Sequence, residues 1–158
     1  MKSLYLGLLF LLLISCKTAT PAQPTAEGDS ILDAYWMLMS LEGESPQTPN
    51  NTRTAYIRFQ ENENDVKGFS GCNTFFGKYE LSGNSLRLSN LGSTRMMCPI
   101  MEQETRMMRV LERVDSYKLS DRILTFYQGN EAIATFRTGN PDEVEPQSPS
   151  RKVRIKRL

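Results

Sequence analysis

The sequence predicts a small domain of the α+β class that is mostly β: an antiparallel meander or an open barrel with one packed helix. Short β-patterned stretches recur at roughly ten-residue intervals, turn signals separate them, and one stretch has helical periodicity. The chain has 158 residues and a net charge of +1. This length suits one domain with tails, and the near-neutral charge argues against a nucleic-acid partner.

The N-terminal region is expected to lie outside this domain. Residues 1–15 predict a signal peptide, because Lys2 precedes an apolar run that is too short to span a bilayer comfortably, and the motif that follows the run indicates a lipoprotein. The stretch Leu-Ile-Ser-Cys that ends at Cys16 resembles a bacterial lipobox. The resemblance implies cleavage after Ser15 and lipidation of Cys16. The alternative is an ordinary signal peptide that happens to contain a cysteine.

Residues 16–30 predict the lipidated cysteine followed by a flexible tether, because they are small, polar and proline-containing. Acyl chains on Cys16 would make the membrane a partner of the protein and place it in the bacterial cell envelope. Lys17, rather than an aspartate, follows the cysteine. By analogy with the sorting rule of enteric bacteria, this favours the outer membrane.

The folded domain is predicted over residues 31–138 and opens with two strands. Residues 34–43 predict a strand buried on both faces, with Trp36 as a core anchor. After a loop rich in proline and asparagine, residues 53–60 predict a half-buried strand. The face expected to be buried carries Ala55, Ile57 and Phe59.

Residues 66–81 predict a further strand that glycines interrupt. Gly68, Gly71 and Gly77 suggest bulges or close backbone approach within it. Residues 82–85, Ser-Gly-Asn-Ser, predict a hairpin turn into the next strand. Two more turns, at 120–122 and 128–131, separate the short strands that close the domain.

The one predicted helix begins near Pro99, which suits the first helical position. An apolar stripe at helical spacing is expected to cover the core, and it consists of Ile100, Met107, Leu111 and Val114, with Met101 and Met108 beside it. Glu102 and Arg106 are spaced for an ion pair on the opposite face.

Residues 139–158 predict a disordered tail, because prolines and acids are followed by a basic run. The tail either contacts anionic lipid near the membrane or is simply solvated, and the second interpretation is favoured.

Three short motifs occur in a fixed order: Gly-Cys-Asn, Gly-x-Tyr and Thr-Arg-Met-x-Cys-Pro. Their residues are Gly71, Cys72, Asn73, Gly77, Tyr79, Thr94, Arg95, Met96, Cys98 and Pro99. This order resembles the META domain, also called the HslJ-like domain. The resemblance implies a compact antiparallel β fold with one helix, often on an exported lipoprotein, and supplies no catalytic residues. Members are linked to heat-shock response and antibiotic tolerance.

The composition argues against an enzyme. The chain contains no histidine, so the usual general base for a nucleophilic Ser70 or Cys72 is missing. The stretch around Ser70 is not a Gly-x-Ser-x-Gly elbow, because Gly71 follows the serine directly. A Ser–Lys dyad with Lys67 or Lys78 is the remaining alternative. We expect no catalytic residues and no cofactor.

If lipid occupies Cys16, the even pair Cys72 and Cys98 remains. An oxidising compartment favours a disulfide between them, and two free buried thiols are the alternative.

A weak alternative is a Cu(I) site built from Met96, Met97, Cys98 and Met101, because thioether and thiolate ligands suit this ion. It requires reduced Cys98 and therefore competes with the disulfide. The favoured interpretation is that the methionines fill an irregular core around the helix, so no metal is expected.

The sequence therefore predicts a monomeric, non-enzymatic module that is tethered to a membrane. It is expected to bind an unknown protein or envelope component, with a role in stress. The alternative is a lipoprotein that binds a small ligand or a soft metal.

Overall fold

The computed structural model describes residues 30–48 and 53–144. The predicted signal peptide, Cys16 and nearly all of the tether lie outside the described residues, as does the basic part of the predicted tail.

Antiparallel strands follow one another along the chain, and each pairs with the next. They are β1 (Tyr35–Leu41), β2 (Tyr56–Gln60), β3 (Asp65–Phe69), β4 (Thr74–Ser82), β5 (Ser85–Ser93), β6 (Ser116–Ser120), β7 (Ile123–Gln128) and β8 (Glu131–Gly139). A 3-10 turn, Glu61–Glu63, joins β2 to β3. Helix α1 (Met101–Arg113) lies between β5 and β6, and the short α2 (Pro141–Val144) follows β8.

The sheet forms a ring, because β1 also pairs with β8. Strand pairing is shortest between β5 and β6, where Ser85 and Ser116 form the one paired position. Backbone hydrogen bonds flank that pair, from Leu86 N–H to the Asp115 carbonyl at 3.0 Å and from Tyr117 N–H to the Asn84 carbonyl at 2.8 Å. The predicted α+β class, a mostly β meander with one packed helix, is confirmed.

Strand alternation builds the core inside the ring. Ala55, Ile57 and Phe59 are buried on one face, as their spacing predicted. Trp36 is the expected anchor: it is 2% exposed, and its indole N–H donates to the Ile31 carbonyl at 2.8 Å. Aromatic rings pack edge-to-face deeper in the core, with 5.3 Å between the centroids of Phe59 and Tyr79.

Strand β1 departs from its predicted pattern at one residue. Trp36, Met37 and Leu38 are buried on both faces, but Met39 is 44% exposed. The pairing of β1 with β8 shifts between Leu38 and Ser40. A bulge there accommodates Met39 as an extra residue and turns it outward.

The glycine-interrupted strand predicted over residues 66–81 is two strands, β3 and β4, joined by a tight loop. At Gly68 a Cβ would collide with the Tyr56 carbonyl and the Phe75 ring, so this glycine serves close approach, as expected. Gly71 belongs to the loop rather than to a strand. Gly77 lies opposite a bulge in β5.

Helix α1 begins at Met101, later than the position predicted at Pro99. Met107 and Leu111 are buried in the core, which confirms the central part of the predicted stripe. The predicted ion pair of Glu102 with Arg106 is wrong. Arg106 instead forms ion pairs with Glu42 and Glu44 in the β1–β2 connection.

The predicted hairpin turns are present, with Ser82 paired to Ser85, Ser120 to Ile123 and Gln128 to Glu131. The predicted domain end at residue 138 is too early. β8 runs to Gly139, and Val144 of α2 is 6% exposed. Arg137 and Glu143 form an ion pair at 2.5 Å that holds α2 against β8. Across residues 30–48 and 53–144, no helix is long and apolar enough to cross a membrane.

Candidate functional site

The loop of residues 70–73 joins β3 to β4 and is buried throughout. Its ends are closed by Ser70, whose N–H and hydroxyl both donate to the Asn73 carbonyl at 2.9 Å. Gly71 has a φ of +108°. A Cβ there would also lie 2.5 Å from the Gln103 amide nitrogen, so glycine is required on both grounds.

Cys72 and Cys98 form a disulfide, with 5.8 Å between their Cα atoms. The bridge expected from the sequence is therefore present. It ties the buried β3–β4 loop to the chain just before α1. Cys72 is 3% exposed, and the Met101 sulfur lies 4.0 Å from its Sγ.

Asn73 connects the loop to the chain that follows β5 and to α1. Its Oδ1 accepts from Met96 N–H at 2.7 Å and from the Thr94 hydroxyl at 2.8 Å. Its Nδ2 donates to the Met96 carbonyl at 3.0 Å and to Glu104 Oε2 at 2.8 Å. The Gly-Cys-Asn and Thr-Arg-Met-x-Cys-Pro motifs thus meet through one amide and one disulfide.

Two polar residues of α1 complete this cluster and were missed from the sequence. Gln103 Nε2 donates to the Ser70 carbonyl at 3.0 Å, and its Oε1 accepts from Gln47 N–H at 2.6 Å. Gln103 and Glu104 are only 8% and 7% exposed. They lie three and four residues after Ile100, on the same helix face as the apolar stripe. That spacing was the sequence signal for their burial.

The chain from the end of β5 to the first residue of α1 presents its methionines outward. We call residues 94–101 the motif segment. Met96, Met97 and Met101 are 59%, 97% and 40% exposed. The expectation that these methionines fill the core is therefore wrong for all three, whereas Met107 does pack inside. The segment's backbone is fixed by Asn73 and the disulfide, so its methionines can face solvent.

The other motif residues occupy different surroundings. Arg95 and Pro99 are exposed in the motif segment. Tyr79 is buried in β4, where its hydroxyl donates to the Gln60 carbonyl at 3.0 Å, and burial raises its pKa. Tyr79 and Gly77 shape the barrel and do not join the Asn73 cluster.

Both nucleophile candidates from the sequence, Ser70 and Cys72, are engaged in other contacts within residues 30–48 and 53–144. Ser70 is fully buried, and in the described ranges its hydroxyl contacts only the backbone of Asn73. Cys72 is oxidised in the disulfide. Lys78, one candidate base of a Ser–Lys dyad, pairs with Asp65 and donates to the Glu63 carbonyl.

The Cu(I) alternative loses its thiolate, because the disulfide contains Cys98. Over the residues that the structure describes, no group of three or more His, Cys, Asp or Glu side chains is placed to hold a metal ion.

Charged groups fix α1 to the β1–β2 connection at the same end of the barrel. Arg106 pairs with Glu42 and Glu44 and also donates to the Leu41 carbonyl at 3.0 Å. Arg113 reaches the other oxygen of Glu42 at 2.5 Å. Burial opposes ionisation of Glu42, but hydrogen bonds from Arg113 and Arg106 outweigh it and lower its pKa.

Solved structures with a similar fold are known. An NMR structure of a protein from Burkholderia xenovorans matches with a TM-score of 0.58 at 22% identity, over 76% of this chain and 99% of the other. A crystal structure of a DUF4847 family protein from Bacteroides vulgatus matches with a TM-score of 0.51 at 12% identity, over 68% and 93% of the two chains. At these identities the likeness concerns the fold. Among curated proteins no match was found.

The META domain family matches residues 29–140, which include the whole barrel and the Asn73 cluster. This family is not a known family of enzymes. The three sequence motifs and the fold that their resemblance implies agree with that match. The chain therefore belongs to the META domain family.

Proposed function

We propose that the protein is a non-enzymatic binding module of the bacterial cell envelope, tethered to a membrane through lipidated Cys16. Its META domain binds a protein partner through the motif segment, and this binding serves the cell under stress. The partner carries a complementary apolar surface.

One observation carries the binding proposal. Three methionines, at positions 96, 97 and 101, are exposed on a segment whose backbone is held by a disulfide and by Asn73. Methionine is enriched at protein interfaces, because its flexible thioether adapts to apolar surfaces. A segment that is ordered before binding loses little conformational entropy when a partner docks.

Photo-crosslinking in intact cells tests this surface. A photoreactive amino acid at position 97 is expected to capture one recurring protein, and the same group at position 39 is not. Met39 is the matched control, because it is an exposed methionine on β1. The captured protein, once purified, should bind the wild type but not Met96→Ser/Met97→Ser. Equal capture from both positions, or equal binding by the double variant, contradicts the proposal.

The membrane tether is supported by the lipobox-like sequence that ends at Cys16. Cys16→Ser is expected to move the protein from the membrane fraction to the soluble fraction. Unchanged partitioning of this variant would refute the anchor.

The stress role is supported by the family resemblance. Cells that lack the protein are expected to survive heat shock less well, and the wild-type protein should restore survival where Met96→Ser/Met97→Ser does not. Normal survival of the deletion strain under heat and antibiotic challenge argues against this role.

A further inference from the structure

A groove of about 540 Å³ lies on the outer face of the barrel, across β3, β4 and β5. In the strand register, Lys67 of β3 lies opposite Phe76 of β4, and Phe76 lies opposite Gly92 of β5. The residues that line the groove do not belong to the motif segment. Its volume lies within the range of small-molecule binding sites.

Phe76 provides an apolar platform in this groove. Its side chain is 56% exposed, which is unusual for an aromatic residue on a sheet. A Cβ at Gly92 would lie only 3.0 Å from Cζ of the ring. Because Gly92 has no side chain, the ring can rest on β5 while the rest of it stays open to solvent.

A bulge in β5 adds an amide beside the ring. Leu86 and Leu88 point into the core, so strict alternation would also send Asn90 inward. An extra β5 residue opposite Gly77 interrupts the alternation. Asn90 is therefore exposed, with a φ of +52°, and Leu91 packs against the core instead.

Charged groups of both signs complete the lining. They are the carboxylates of Glu63 and Asp65 and the ammonium groups of Lys67 and Lys78. Asp65 and Lys78 form an ion pair across β3 and β4. Two carboxylates and two ammonium groups cancel in formal charge, so the groove favours neither an anion nor a cation. Together with Asn90 they offer both hydrogen-bond donors and acceptors.

We propose that this groove binds an uncharged saccharide. A sugar ring has an apolar face of C–H groups and a rim of hydroxyls that both donate and accept. The apolar face stacks on Phe76, because the π face of the ring attracts polarised C–H groups. The hydroxyls contact Asn90 and the balanced charged groups. This site is independent of the partner surface proposed for the motif segment.

Titration of isotope-labelled protein with three uncharged trisaccharides tests the site: maltotriose, cellotriose and triacetylchitotriose. At least one should shift the amide signals of Lys67, Phe76 and Asn90 saturably, with a Kd of roughly 1 mM or lower. Phe76→Ala should weaken binding about tenfold, because a stacked aromatic contact contributes on that scale. Phe76→Trp should bind at least as well as the wild type. Met39→Ala, an exposed change on β1 that lies outside the groove and the motif segment, should bind unchanged.

Three results would overturn the proposal. One is the absence of a saturable shift at these amides with all three sugars. Another is equal affinity of Phe76→Ala and wild type, with thermal unfolding showing both folded. The third is a set of shifts produced by a phenylalanine-containing peptide but by no sugar, which would assign the groove to a protein partner.

Discussion

Asn73 and Met96 are joined by two hydrogen bonds that run in opposite directions. Met96 N–H donates to Asn73 Oδ1 at 2.7 Å, and Asn73 Nδ2 donates to the Met96 carbonyl at 3.0 Å. The Asn73 side-chain amide thus both accepts from and donates to the Met96 backbone, as the backbones of two paired strand residues do. Because Asn73 also donates to Glu104, the same amide fixes the motif segment to α1.

Asn73→Asp is expected to destabilise the fold strongly. A carboxylate cannot donate, so the variant would set it against the Met96 carbonyl and the Glu104 carboxylate in a buried site. We expect the free energy of unfolding to fall by about 2–4 kcal/mol, measured by urea denaturation.

The matched control is Asn90→Asp, an exposed amide on β5. Aspartate also tolerates the positive φ of this position, so its effect should stay within about 0.5 kcal/mol. Equal effects of the two substitutions would show that the Asn73 hydrogen bonds do not hold the cluster.

Removal of the disulfide should destabilise the domain as well. Cys72 and Cys98 are separated by 26 positions, and the chain-entropy estimate for such a loop is about 3.5 kcal/mol. Cys72→Ala/Cys98→Ala should lower the free energy of unfolding by this order, and hydrogen exchange should quicken in the motif segment. An unchanged denaturation midpoint in the double variant would show that the disulfide does not stabilise the domain.

Gly68→Ala should disturb the barrel more than Gly92→Ala. A Cβ at Gly68 would meet the Tyr56 carbonyl and the Phe75 ring, and neither can move without repacking. We expect a loss of at least about 2 kcal/mol for Gly68→Ala. At Gly92 the obstacle is the exposed Phe76 ring, which can swing aside, so the loss should stay below about 1 kcal/mol. Calorimetric unfolding compares the two, and a larger loss at Gly92 would contradict this packing.

Stability should decline in acid partly through Glu42. Its pKa is lowered in the folded state, so its stabilisation is present above the unfolded pKa and is lost as pH falls through the folded pKa. Glu42→Gln should cost less than about 1 kcal/mol at neutral pH, because Glu42 and Arg113 lie at the surface, where water screens their ion pair. It should also flatten the acid-side decline measured by urea denaturation.

Glu112→Gln is the control for this pH effect, since Glu112 is exposed on α1 and forms no ion pair with any other described residue. Its acid-side decline should match that of the wild type. If Glu42→Gln also matches the wild type, the pairing with Arg106 and Arg113 does not contribute to acid stability.

Local signals in the sequence predicted much of the fold. The turn of residues 82–85 and the strand face of Ala55 and Ile57 follow from turn chemistry and from period-two alternation. The closure of the ring between β1 and β8 could not be predicted in this way. It pairs residues near the two ends of the domain, and no local pattern specifies which distant strands meet.

The site was less predictable than the fold. The pairing of Cys72 with Cys98 could be predicted because they are the two cysteines that remain after Cys16. The burial of Glu104 could not, because an acidic residue on a helix is usually solvated. The exposure of Met97 was also missed, since methionine is most often a core residue. Its outward position depends on hydrogen bonds between Asn73 and Met96 that are distant in sequence.

Methionine oxidation footprinting, in intact cells and on the purified protein, tests whether the motif segment is a partner surface. In the purified protein Met97, at 97% exposure, should oxidise faster than Met39, at 44%. If a partner covers the motif segment, Met96 and Met97 become protected relative to Met39 in cells. Equal Met97-to-Met39 oxidation ratios in cells and in the purified protein would contradict the proposed partner surface.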